Sequence, residues 1–157
     1  MAGFGNVLRG DDGFGVEVVR RLEREQIAPG TVLLEIGTGG IALAQALLTP
    51  YDRLIVVDAV APEGTPGRVH VLRVDAVEAL RSIDMHMAVP SRALGLAQVL
   101  GVLPAEVFLV GCEPEETEEL SMELSPSVGR AVDEAVRAIG RLLSVDAAPV
   151  AAETIHG

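Results

Sequence analysis

The chain has 157 residues, of which 49% are hydrophobic, and its formal net charge is −11. This length suffices for one domain with a buried core, and no apolar run approaches the roughly 18 residues that a membrane-spanning helix needs. The negative charge argues against nucleic acid as a partner, because phosphate contacts depend on Lys and Arg. The sequence starts without a signal-peptide pattern, and the lone Cys112 cannot form an internal disulfide. We therefore expect a cytoplasmic protein that does not contact a membrane.

Short β-branched runs alternate with helical patterns along the chain, which is typical of an α/β fold on a mainly parallel sheet. Only residues 1–4 precede the first glycine turn, so either the first strand is short or the sequence begins downstream of the natural start. Apolar residues then recur at the three-to-four spacing of one helical face. They are Phe14, Val18, Val19 and Leu22. Further strands are expected at 31–36, 53–59, 68–73 and 106–110, and further helices at 41–48, 91–100 and 126–143.

These elements predict a single-domain three-layer sandwich, with a mainly parallel, twisted sheet of about five strands and helices on both faces. The domain is expected over residues 1–145, followed by a loose tail at 146–157. Ser125 followed by Pro126 is typical of a helix N-cap and first helical position. Loops are expected at 61–67 and 111–121, and the second of these contains the acidic stretch 113–119.

Residues 5–15 read Gly-Asn-Val-Leu-Arg-Gly-Asp-Asp-Gly-Phe-Gly. A glycine turn that opens a helix normally presents backbone N–H groups to a phosphate, but two aspartates at that place would repel one. The turn therefore favours a cation. We expect Asp11 to cap the helix and Asp12 to face the cation.

A second carboxylate is expected at the same edge of the sheet. Ligands of open α/β sheets bind beyond the carboxyl ends of the strands. Asp12 lies just past the first strand, and Asp58 ends the buried run 54–57. An ionised Asp58 after four aliphatic residues would be costly without a partner. Either aspartate alone could be a cap or a loop anchor, and it is their pairing that favours a metal site.

A histidine would complete such a site, because imidazole with carboxylates suits nickel or zinc, whereas carboxylates alone suit magnesium or calcium. His70 lies in an alternating run and is expected on the surface of the sheet, while His156 lies in the expected tail. His86 is therefore the candidate ligand. The alternative for His86 is a solvent-facing loop histidine.

The 5–15 segment closely resembles the opening of the hydrogenase maturation endopeptidases, which trim the C-terminal extension from the large subunit of nickel-iron hydrogenases. The resemblance continues in order through four more segments and covers nearly the whole chain. These are Gly37-Thr38-Gly39-Gly40, Leu-Ile-Val-Val-Asp-Ala at 54–59, Leu-Val-Gly-Cys-Glu-Pro at 109–114 and Leu-Ser-Pro-Ser-Val at 124–128.

This resemblance implies a hydrolase that recognises a large-subunit precursor after nickel insertion. Asp12, Asp58 and His86 would reach nickel carried by that substrate, with Asp12 and Asp58 as the catalytic pair. Other family members place the histidine where Arg92 stands, and arginine cannot ligate a metal because it stays protonated. The role therefore goes to His86.

The glycine-rich segment borders the groove for the substrate's C-terminal region in this family. Its four members here are Gly37, Thr38, Gly39 and Gly40. Glycines permit close approach of a peptide backbone, but a tight strand-to-helix turn is an equally simple interpretation. Relatives commonly have Asp where Glu35 stands, which leaves the detailed substrate preference open.

Three alternatives differ in class from a metal-assisted protease. Cys112 as a nucleophile is disfavoured by its acidic neighbours, and a packing role is expected. A dinucleotide-binding module is disfavoured because the glycine spacing does not match Gly-x-Gly-x-x-Gly. A non-catalytic protein that binds nickel or hydrogenase stays open. The partner expected in either case is the large-subunit precursor. We expect this chain to be a monomer.

Overall fold

The computed structural model describes residues 1–26, 30–77, 88–144 and 153–155. Six strands belong to one sheet: β1 (Ala2–Phe4), β2 (Leu34–Gly37), β3 (Arg53–Ala59), β4 (Val69–Val74), β5 (Glu106–Cys112) and β6 (Glu153–Ile155). The helices of the described ranges are α1 (Phe14–Arg24), α2 (Ile41–Ala46), α3 (Ala88–Val99) and α4 (Pro126–Leu143). One 3₁₀ turn, Gly10–Gly13, precedes α1.

The strand order is β2-β1-β3-β5-β4-β6. Strands β2, β1, β3 and β5 are parallel, β4 is antiparallel to β5, and β6 is parallel to β4. The carboxyl ends of β1, β3 and β5 therefore share one edge of the sheet. The predicted fold class, a mainly parallel sheet with helices on both faces, is confirmed.

Two cores lie on opposite faces of the sheet, as the alternation along β3 requires. Leu54 and Val56 point to a core that includes Leu43 of α2 and Leu94 of α3. The intervening residues, Ile55 and Val57, point to a second core with Phe14 and Val18 of α1 and Val128 of α4. Strand β3 is buried on both faces, which explains its unbroken aliphatic run.

The structure differs from the predicted elements mainly at their ends. Strand β1 has only three residues, but it is hydrogen-bonded to β2 on one side and to β3 on the other. Strand β2 begins at Leu34 instead of residue 31. Part of the expected tail, Glu153–Ile155, pairs with β4 at the sheet edge. No helix within the described ranges is long and apolar enough to cross a membrane.

Helix α1 packs directly against the backbone of the central strands. A Cβ on Gly15 would collide with the backbone oxygens of Phe4 and Val57. This close approach requires glycine and holds the start of α1 against the carboxyl ends of β1 and β3. The turn before α1 is thereby held at that edge.

We expect Gly15→Ala to lower the free energy of unfolding by about 3 kcal/mol or more, because the new methyl group meets rigid backbone on two strands. Gly129→Ala is the matched control, since a Cβ on this helical glycine of α4 meets nothing within 4 Å. The control should be neutral or more stable by up to about 1 kcal/mol. Urea unfolding of both variants measures the difference, and equal midpoints would contradict the packing argument.

Candidate active site at the carboxyl edge of the sheet

The turn after β1 is built on backbone hydrogen bonds. Gly5 has a φ of +119°, which favours glycine, and its N–H donates to the carbonyl oxygen of Gly37 at 2.8 Å. The side-chain oxygen of Asn6 accepts a 2.9 Å hydrogen bond from the Leu8 N–H. The Asn6 N–H donates to Oδ2 of Asp12 at 2.8 Å. The turn therefore folds back on itself and holds the Asp12 carboxylate.

Asp12 and Asp58 both lie beside Gly5. A Cβ on Gly5 would collide with the backbone oxygen of Asp12 and lie 3.5 Å from Oδ1 of Asp58. Asp58 is the penultimate residue of β3 and is 4% exposed, whereas Asp12 is partly exposed. The structure thus brings the two predicted residues together at one edge of the sheet.

The third predicted ligand, His86, lies outside the described residues. Arg92, the alternative position for the histidine, is exposed on α3. Across residues 1–26, 30–77, 88–144 and 153–155, no group of three or more His, Cys, Asp or Glu could hold a metal ion. The ligand role of His86 therefore stays a prediction.

The glycine-rich loop borders the two aspartates. Gly37, with a φ of +65°, is the residue that accepts the hydrogen bond from Gly5. Thr38 and Gly39 are exposed, and a Cβ on Gly39 would meet nothing within 4 Å. A Cβ on Gly40 would lie 2.9 Å from Cβ of Ala93, so Gly40 lets α2 approach α3. The loop combines an open surface with one packing glycine.

Asp11 does not cap α1, and that prediction is wrong. The N-cap of α1 is Gly13, which forms no side-chain capping bond. The buried Asp11 carboxylate instead accepts hydrogen bonds from Ser125, through its N–H at 2.7 Å and its hydroxyl at 2.8 Å. It also accepts the N–H groups of Glu115 at 2.8 Å and Glu116 at 3.0 Å. Asp11 therefore connects the first turn to the loop between β5 and α4.

Ser125 occupies the predicted N-cap position of α4, with Pro126 following it. Its hydroxyl donates to Asp11 and makes no capping bond to its own helix. The sequence signal located the helix start correctly, but the side chain of Ser125 binds Asp11, which lies 114 residues away in the sequence.

Cys112 is a packing residue, as predicted. It is 1% exposed and belongs to the core between the sheet, α1 and α4. Burial first, and then the nearby Asp11 and Glu113 carboxylates, raise the pKa of its thiol to about 12. A thiol with this pKa is protonated at neutral pH and is a poor nucleophile.

The structure also reveals a pair, the buried Glu113 and the partly buried His70, that the sequence analysis missed. His70 was expected on the sheet surface, but its Nε2 lies 3.2 Å from Oε2 of the fully buried Glu113. Oε1 of Glu113 accepts the N–H groups of Glu63 at 2.8 Å and Thr65 at 3.2 Å. Burial alone would raise the pKa of Glu113, yet these donors together hold it below its usual value. The missed signal is a carboxylate directly after the buried residues of β5, comparable to Asp58 after the aliphatic residues 54–57.

This pair is close to the candidate site. His70 and Asp58 are both register partners of Gly111 in β5. They lie on the same face of the sheet, two strands apart, at roughly 10 Å. Glu113 therefore holds the loop around Glu63 and Thr65 on the Asp58 side of β5.

The fold and site define a class of α/β proteins in which two aspartates, Asp12 and Asp58, lie beside one glycine turn at the carboxyl edge of a mainly parallel sheet. The family model described as hydrogenase maturation protease matches residues 16–142. The chain belongs to the hydrogenase maturation protease family.

Individual relatives agree with this assignment. The hydrogenase expression/formation protein HupD of Rhodobacter capsulatus is 36% identical over 140 residues, which are 87% of this chain and 66% of that protein. The chain thus spans about two thirds of that relative's length. The hydrogenase maturating endopeptidase HybD from E. coli is 31% identical, with a TM-score of 0.77 and coverage of 88% of this chain and 86% of that one. The [NiFe] hydrogenase maturation protease HybD from Thermococcus kodakarensis is 28% identical, with a TM-score of 0.78 and coverage of 91% and 97%.

The Glu113 contacts predict a specific pH dependence of stability. Because the folded state lowers the pKa of this carboxyl, its charged form stabilises the fold above the unfolded-state pKa. That contribution is lost as the pH falls through the lower folded-state pKa. We expect Glu113→Gln to be less stable than the parent protein by about 1–3 kcal/mol at about pH 7, with a smaller difference at about pH 3.

Urea unfolding at several pH values tests this expectation. Glu118→Gln is the control, since Glu118 is exposed in the loop after β5. It should follow the parent protein at every pH. A constant stability difference for Glu113→Gln across the whole pH range would contradict the linkage.

Proposed function

We propose that this chain is an endopeptidase that removes the C-terminal extension of a nickel-iron hydrogenase large-subunit precursor after nickel insertion. The observation that carries the proposal is the convergence of Asp12 and Asp58 beside Gly5 in a chain of this family. Relatives of known structure are described as endopeptidases or proteases of hydrogenase maturation. The proposal includes a monomer that acts in the cytoplasm, in line with the composition of the sequence.

Nickel enters this proposal as part of the substrate. Two carboxylates and one imidazole, from Asp12, Asp58 and His86, form an incomplete and comparatively hard ligand set for a transition metal. Such a set can complete the coordination of an ion that a partner already holds. Cleavage would then be conditional on prior metal insertion, because only the loaded precursor brings the ion whose coordination this ligand set completes.

The two aspartates lie in different environments. The Asp12 carboxylate is partly exposed and oriented by the Asn6 N–H. The Asp58 carboxylate is buried at the end of β3, where a rigid strand fixes its position. When bound, the nickel of the substrate would supply positive charge and Lewis acidity near the scissile bond. The exposed Thr38 and Gly39 leave space for a substrate backbone beside this pair.

Asp58→Asn should reduce precursor processing at least about a hundredfold while the fold survives, because the change keeps shape but removes the charge that faces a cation. Asp52→Asn is the matched control. Asp52 is exposed immediately before β3, at the opposite edge of the sheet, and its loss should leave processing unchanged. Mass spectrometry of the precursor measures C-terminal shortening. Full processing by Asp58→Asn at ordinary enzyme concentration would contradict the assigned role.

Nickel-loaded precursor should be cleaved and nickel-free precursor should not, at equal enzyme concentration and after removal of the enzyme's own metal. The expected contrast follows from the incomplete ligand set. Equal cleavage of both precursors would contradict the dependence on substrate nickel. Binding of loaded precursor without any cleavage would favour the non-catalytic accessory protein instead.

A further inference from the structure

An apolar patch lies beside the candidate site. Leu8 is 51% exposed, Leu120 is 84% exposed and Met122 is 76% exposed. Leu8 belongs to the turn that carries Asp12, whereas Leu120 and Met122 belong to the loop between β5 and α4. Contiguous exposed apolar side chains mark an interaction surface more often than scattered ones do.

Backbone hydrogen bonds join the two halves of this patch. Arg9 and Ser121 form an isolated parallel β-bridge. The Ser121 N–H donates to the carbonyl oxygen of Leu8 at 2.9 Å, and the Gly10 N–H donates to the carbonyl oxygen of Ser121 at 2.7 Å. The patch is therefore preorganised, and a partner that binds it does not have to order the two segments first.

The patch has an acidic rim. Five exposed glutamates lie on the same loop as Leu120 and Met122: Glu115, Glu116, Glu118, Glu119 and Glu123. None of the ion pairs formed within the described part of the chain involves these carboxylates. Arg9, which follows Leu8, contributes one positive charge beside the same patch. The net field of this surface is negative, so it favours a partner with Lys and Arg around an apolar centre.

We propose that the patch of Leu8, Leu120 and Met122, with its acidic rim, docks a segment of the precursor that combines aliphatic side chains with Lys and Arg. This inference rests on the proposed function, because the substrate is the partner that must reach Asp12. The turn connects Leu8 to Asp12 within four residues, so a segment seated on the patch is held next to the carboxylate pair. The surface therefore provides binding, whereas the aspartates provide chemistry.

The apolar part is tested with the double variant Leu120→Ser, Met122→Ser. We expect KM for the loaded precursor to rise about tenfold or more, with kcat within about twofold, because truncation of apolar side chains that the precursor would cover weakens binding. The control is Leu48→Ser, Val99→Ser, which removes side chains that are 64% and 86% exposed at the end of α2 and on α3. Its KM should stay within about twofold of the parent value. Equal KM values for the two double variants would overturn the proposal.

The acidic rim is tested with Glu118→Gln, Glu119→Gln. Affinity for a fluorophore-labelled loaded precursor should fall as salt rises from about 50 mM to about 500 mM, and it should fall less steeply in this variant. Parallel salt dependences would overturn the electrostatic part.

Light scattering of the enzyme alone tests whether the patch instead binds a second copy of this chain. A dimer that dissociates in Leu120→Ser, Met122→Ser, with precursor affinity unchanged, would overturn the proposal. Cleavage by the parent protein is the separate readout of the proposed function. If the parent protein cleaves and the patch variants keep its KM, only the docking inference fails; if the parent protein never cleaves, the proposed function fails.

Discussion

The edge of the sheet that carries the candidate site depends on the buried carboxylate of Asp11. One side chain accepts hydrogen bonds from Ser125, Glu115 and Glu116, all in or next to the loop between β5 and α4. A buried carboxylate is costly unless such donors satisfy it, and hydrogen bonds to charged groups each contribute about 1.5–3 kcal/mol. These hydrogen bonds fix the turn after β1 against the loop between β5 and α4. They thereby also fix the position of Asp12.

Glu113 likewise fixes the loop between β3 and β4. Its carboxylate accepts N–H groups from Glu63 and Thr65 and faces His70. Asp11 and Glu113 are thus buried anions that organise loops, while Asp12 and Asp58 are the carboxylates proposed to face the substrate. Acidic residues at this edge of the sheet therefore have two different duties, and the donors from distant loops identify Asp11 and Glu113 as the pair that organises loops.

Much of this architecture could be predicted from the sequence, because it depends on local patterns. The aliphatic run of β3 and the periodicity of α4 gave both elements their observed bounds. The convergence of Asp12 and Asp58 followed from the rule that parallel strands end at one edge. The partners of Asp11 and His70 could not be predicted, because they are distant in the sequence. Glu116 lies 105 residues from Asp11, and Glu113 lies 43 residues from His70. A sequence marks an element's end, but not which distant loop returns to that end.

The donors to Asp11 include the main-chain N–H groups of Glu115 and Glu116, which do not depend on the side chains at those positions. Any residue except proline can supply such a donor. Apart from Ser125, whose hydroxyl also donates to Asp11, the loop can therefore change its side chains in evolution while the anchor that fixes the turn stays intact. This separation would let related enzymes diverge in the precursor they select without rebuilding the candidate site. Recognition and chemistry can then evolve at independent rates on one scaffold.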